Sequence, residues 1–114
     1  MESMSLYQLA DSHLATARSS KSGRSAQTIQ GDHDHMLRQT LMALVAGRDM
    51  AEHESPGQAT LQVLRGRVRI KAGDDEWGGG EGDFVEIPRT RHSLHADEDS
   101  VVLLTVLADS RDAK

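Results

Sequence analysis

The sequence predicts a mainly β fold: a small antiparallel β-barrel behind a short amphipathic N-terminal helix. Three observations predict it. A helical apolar period is confined to residues 5–19. From Thr28 onward, short runs of β-branched and aliphatic residues, about 5–8 long, are divided by glycine and acidic turns. Nearly every connection between these runs is short, which favours antiparallel neighbours, and closing the sheet removes the edges such strands would expose.

The helix comes first. Ser5-Leu6-Tyr7-Gln8 has the spacing of a capping box, and Leu6, Leu9, Ala10, His13, Leu14 and Ala17 then recur at helical intervals. The polar run Ser19–Ser25 reads as a linker, so residues 1–27 are expected to be helix and linker and residues 28–114 the barrel, in one folded domain overall. At 114 residues a second core would have too few residues to close. Strands are expected over Met36–Val45, Ala59–Leu64, Arg67–Ala72, Phe84–Ile87, His92–Ala96 and Val101–Leu107. Arg65-Gly66 and Gly73-Asp74-Asp75 are hairpin signals, Gly78-Gly79-Gly80 loosens the chain ahead of Gly82-Asp83, and Asp97-Glu98-Asp99 is a solvated turn. Alternation over residues 67–72 puts Val68 and Ile70 on one face and Arg67, Arg69 and Lys71 on the other, where strand parity alone makes a solvated cationic row.

Composition removes several function classes. With no cysteine there is no disulfide, thiolate metal site or cysteine nucleophile. The net charge of −5 argues against a nucleic-acid partner, and a single Trp, Tyr and Phe argue against a base-stacking platform. No stretch approaches the ~20 apolar residues of a membrane span. With no apolar run like a signal peptide at residue 1, the expected location is cytoplasmic.

Gly47, His53, Ser55, Ala59 and Gly66 stand at the spacing of a known pattern: glycine, five residues, His-x-His, three or four residues, Glu, six residues, glycine. Gly82 and Pro88 match the opening of its companion, after which Thr90 stands in a glycine position, His92 arrives one residue early, and Ala96 takes the place of an asparagine. On these residues the span from Met36 to Leu107 resembles the cupins, small jelly-roll barrels also described as RmlC-like. The resemblance implies a double-stranded β-helix that hosts enzymes, binding proteins and storage proteins alike. It also implies an inward-facing divalent transition metal, zinc, iron, manganese or nickel, held by three histidines and a glutamate.

Of that ligand set His53 matches outright, and His92 matches if the deletion is absorbed in the loop after Pro88; Ser55 and Ala59 replace the other two. Two imidazoles alone make a weak divalent site, because structural zinc takes four ligands and non-haem iron two histidines with a carboxylate. Glu52 and Glu54 flank His53 and so face away from it in an extended segment. His33 and His35, two apart, would share one strand face with Leu37, Gln39, Leu41 and Ala43 and are possible additional ligands, although Gly31-Asp32 before them suggests exposure. His95 is expected at the surface or an interface, and His13 packed on the helix. If His53 and Ala59 face inward as the family pattern implies, Leu61 and Val63 line the barrel with them, and Leu64 faces out. An outward Leu64, and apolar residues on both faces of Val101–Leu104, call for cover, which the resemblance supplies as a homodimer through a sheet face.

The leading reading is a binding protein that holds a small molecule in the barrel, with His53 and His92 as polar anchors and Ser55, Ala59, Leu61 and Val63 around them. A metal-dependent oxygenase or isomerase with a reduced ligand set, and a structural dimeric module, are the alternatives; whether the chain is an enzyme is left open.

Overall fold

The computed structural model describes residues 1–54 and 57–107. A helix, α1 (Leu6–Ser19), precedes nine strands: β1 (Arg24–Gln30), β2 (Leu37–Leu44), β3 (Asp49–His53), β4 (Gln58–Arg65), β5 (Arg67–Ala72), β6 (Asp75–Gly80), β7 (Phe84–Ile87), β8 (His92–Ala96) and β9 (Ser100–Leu107). They form two antiparallel sheets, one in the order β1-β2-β9-β4-β7 and one in the order β3-β8-β5-β6. The chain passes repeatedly from one sheet to the other, which is jelly-roll topology. No helix among the described residues is long and apolar enough to cross a membrane.

Two apolar layers hold these elements. The inner faces of both sheets enclose Leu44, Ala59, Leu61, Val63, Val68, Ile70, Ile87, Leu94, Ala96 and Val102. The second layer lies outside the five-stranded sheet, where Ala10, Leu14 and Ala17 of α1 pack on Leu41, Ala43, Leu64, Val101 and Leu103. Leu64 and the outward half of β9, for which a second copy was expected as cover, are thus covered by the protein's own helix. Fully burying a leucine contributes roughly 1.5–3 kcal/mol, so this face is a strong reason for α1 to dock.

The capping spacing is realised: Ser5 Oγ accepts the Gln8 amide at 3.2 Å. Polar contacts then fix the helix on the sheet. His13 bridges to β1, Nδ1 lying 2.6 Å from Ser25 Oγ and Nε2 2.8 Å from Gln27 Oε1. At the other end Arg18 Nε donates to Asp99 Oδ2 at 2.8 Å, and Asp99 Oδ1 accepts the Ala46 amide at 2.8 Å. The amide, then the guanidinium, hold the Asp99 carboxyl below its ordinary value of 3.8.

Three strands differ from the sequence expectation. Residues 24–27, read as linker, begin β1, whose burial is mostly exposed; this edge strand owes its form to pairing with β2, from Arg24↔Leu44 to Gln30↔Gln39. Asp49–His53 is a short edge strand, β3, too polar to show an apolar alternation. Gly78-Gly79-Gly80, read as loosening the chain, is strand β6, paired residue for residue with β5 from Arg67↔Gly80 to Ala72↔Asp75. The cationic row of β5 is exposed, and Arg69 is neutralised by Asp97 at 2.9 Å and Glu76 at 3.7 Å.

Gly66, in the β4–β5 hairpin, has φ +80°, and a Cβ there would lie 2.3 Å from both the Asp99 carbonyl oxygen and Ser100 Oγ. Ser100 is fully buried, and its Oγ accepts the Arg67 amide at 3.0 Å and lies 2.7 Å from the Glu98 carbonyl. Gly47 has a similar φ of +86° but meets nothing within 4 Å. Gly66→Ala is therefore expected to cost clearly more stability than Gly47→Ala, which pays only the left-handed backbone penalty of roughly 1–2 kcal/mol. Urea unfolding of the two variants checks this, and equal losses would contradict the packed-turn account.

Candidate functional site

The deletion after Pro88 is absorbed in residues 89–91, because His92 begins β8 and is the Cα partner of His53 on β3. The two rings meet edge to face, centroids 4.5 Å apart and planes at 60°. His92 is buried, 4 % exposed, and His53 is half-buried. Outside them, Arg91 Nε donates to Glu52 Oε1 at 2.9 Å and lies 3.9 Å from Glu54, so both glutamates flanking His53 serve the rim. Glu52 first, with Glu54 behind it, keeps the Arg91 guanidinium firmly charged.

Each ring is anchored the same way. His53 Nδ1 lies 3.0 Å from the Ala51 carbonyl oxygen, and His92 Nδ1 lies 3.0 Å from the Thr90 carbonyl oxygen. A carbonyl only accepts, so Nδ1 of each ring must carry the hydrogen. In a neutral ring this leaves the lone pair on Nε2, and neither Nε2 has a protein partner among the described residues. No buried side-chain nitrogen or oxygen of the described residues is unsatisfied, so even on the buried His92 this nitrogen reaches free space.

Both rings line a cavity between the sheets, together with Met42, Met50, Leu61, Ile70, Ile87, Leu94, Val102 and Leu104. It measures about 20 Å³, room for one water molecule. Of the residues expected around the anchors, Leu61 lines it. Ala59 and Val63 share the inward face but are packed in the core beside it. Ser55 lies outside the described residues.

His33 and His35 are not brought to this cavity. They lie in the loop between β1 and β2, exposed, with His35 Nδ1 2.8 Å from Asp32 Oδ1 and His33 Nε2 3.3 Å from Asp34 Oδ1. Even extended, their parity would have turned them outward, since Leu41 and Ala43 of that face pack under α1. Asp32, His33 and Asp34 hold ligand atoms within 4.8 Å of one another, all on the surface. His95 is on the outer face of the small sheet, bonded through Nδ1 to Asp49.

The donor set can now be weighed against the metal that the family pattern implies. Among the described residues the cavity offers two imidazoles, two thioethers and aliphatic side chains. Among the described residues no carboxylate and no third imidazole lines it, and Ala59, at the glutamate position of the family pattern, is packed in the core beside it. Zinc, iron, manganese and nickel sites are built on three or more nitrogen, oxygen or thiolate donors, and thioethers do not replace them. The described residues do not fit a tightly held divalent ion.

No family model matches the chain, and no curated protein does. Solved structures match well. A conserved protein of unknown function from Streptococcus pyogenes is 25% identical at a TM-score of 0.71, over 80% of this chain and 79% of that one. A cupin superfamily protein from Desulfitobacterium hafniense is 17% identical at a TM-score of 0.70, over 75% and 78%. A salicylate 1,2-dioxygenase variant from Pseudoaminobacter salicylatoxidans is 20% identical at a TM-score of 0.73, over 90% of this chain but only 34% of the dioxygenase. The chain is a small cupin-fold domain.

The ring anchoring makes a direct prediction. Long-range proton–nitrogen NMR spectra at a pH where both rings are neutral should show Nδ1 protonated and Nε2 bare in His53 and His92. The opposite tautomer in either ring would break the assignment.

Proposed function

We propose that the barrel binds a small, largely apolar organic molecule with one polar head group, a carboxylate or hydroxyl, held by Nε2 of His53 and His92 without a resident metal. The observation that supports it is a pair of carbonyl-anchored imidazoles that line an otherwise apolar cavity and whose remaining nitrogens lack protein partners among the described residues. A neutral ring accepts from a hydroxyl and a protonated one donates to a carboxylate, so the pair serves either head group. Ligand pockets usually enclose roughly 300–1,000 Å³, far above the space present, so binding must displace side chains. Met42 and Met50, unbranched and flexible, are the lining groups that yield most readily.

The metal-dependent oxygenase or isomerase and the purely structural module are the readings to defeat. Protein purified without a metal-affinity tag should carry well under one equivalent of transition metal by elemental analysis. Near-stoichiometric metal that disappears in a His53→Ala, His92→Ala double variant would overturn the metal-free site. In a thermal-shift screen of small carboxylic acids and alcohols, some compound should raise the melting temperature of the wild type and not of the double variant. If none does, barrel binding loses its support.

We also propose a homodimer, formed not at the helix-covered part of the large sheet but beyond it. Leu37 and Leu107, 46% and 40% exposed, are Cα partners at one end of β2 and β9, with Met36 at 53% beside them. Light scattering at micromolar concentration should give a dimer that Leu37→Asp dissociates; a wild-type monomer would count against it.

A further inference from the structure

The large and small sheets end on β7 and β6, and these two strands do not pair. They are joined by a turn pinned to β4, where Val63 N–H donates to Asp83 O at 2.9 Å and Gly82 N–H to Val63 O at 2.8 Å. Between residues of these strands and β5 a groove of about 110 Å³ opens, lined among others by Ile70, Trp77, Val85 and Pro88. Ile70 also lines the histidine cavity, so the two spaces share a wall residue. On the facing strand Val85 and Ile87 share the inward face of β7, and Val85 lines the groove while Ile87 lines the cavity.

The indole at this seam has an unusual bed. A Cβ on Gly79 would lie 2.3 Å from Cη2 and 2.5 Å from Cζ2 of Trp77, so the ring lies across a residue that has no side chain to obstruct it. Gly79 has no positive φ, which makes its role spatial rather than conformational. Trp77 is half-buried against the inner core and is the protein's single tryptophan. Asp75, Glu76 and Glu86 also border the groove and give it a negative field, Glu76 sharing its charge with Arg69 at 3.7 Å.

We infer that the ligand's apolar body runs from the histidines past Ile70 into the Trp77 groove, so that Ile70 and Trp77 set the chain length accepted and the groove's acids exclude a second anionic end. The inference rests on the barrel-binding reading, because the histidine cavity alone is too small for more than a head group. A single-headed straight-chain amphiphile satisfies both ends: one polar group at the imidazoles, methylenes along the aliphatic walls, and a neutral terminus beside the indole.

Binding of the butyl-to-octyl series of alkanoates and alkan-1-ols, followed by Trp77 emission and by calorimetry, tests this on the full chain. Affinity should rise about fourfold per methylene, the equivalent of ~0.8 kcal/mol per buried CH₂, with a shift in Trp77 emission that grows with chain length. The α,ω-dicarboxylate of matching length should bind at least tenfold more weakly. Gly79→Ala, which forces the indole off its bed, should shrink the octyl-to-butyl affinity ratio several-fold; if that variant does not fold, Ile70→Phe, which blocks the passage, should do the same. Binding that requires His53 and His92 but shows no dependence on chain length and leaves Trp77 emission unchanged would overturn this inference while sparing the barrel site. Absence of binding by the whole series would overturn both.

Discussion

Everything in this fold leans on β9 being buried on both faces. Val102 and Leu104 point between the sheets, while Val101 and Leu103 lie under α1. A strand covered on both sides must have both covers in place before its free energy is favourable, because either face alone would leave two large aliphatic side chains in water. The helix is therefore part of the barrel's stability rather than an appendage. The contacts that fix it, His13 to β1 and Arg18 to Asp99, hold that cover in register with the strands below.

How much of this was legible in the sequence depends on whether a segment announces itself by its own pattern. β5, β7 and β8 do so to the residue, because they carry compact β-branched or aliphatic alternation between turn signals. β1, β3 and β6 do not. Each is an edge strand whose exposed residues need no apolar period, and it becomes a strand only because a neighbour offers hydrogen bonds. Gly79 shows the limit most plainly. In the sequence it is one of three glycines in a row and reads as slack, whereas in the fold its missing side chain is the space the Trp77 indole occupies.

The candidate site was legible in the same partial way. The resemblance to the cupin pattern implied that His53 and His92 share one barrel, and the β3–β8 register brings them into contact despite the missing residue between Pro88 and His92. What spacing does not encode is the anchoring of both Nδ1 atoms by local carbonyls, which decides which nitrogen each ring presents. Nor does it encode the two methionines, since Met42 and Met50 enter the cavity from different sheets and belong to no motif. His33 and His35 lie at the surface, as the turn residues Gly31-Asp32 before them suggested, and the strand face they would have shared with Leu41 and Ala43 is the one that α1 occupies.

The strand order carries a further implication for how the polypeptide is made. β9 sits at the centre of its sheet, between β2 and β4, so the large sheet is in two halves until residues 100–107 have left the ribosome. During synthesis β2 and β4 wait with unpaired edges and with the apolar strip of α1 only partly seated. The fold thus depends on closing contacts between residues far apart in sequence, such as Ala43↔Val101. Such topologies assemble slowly. A chain stalled or cut short of residue 100 would be a substrate for chaperones and proteases, not a smaller working barrel.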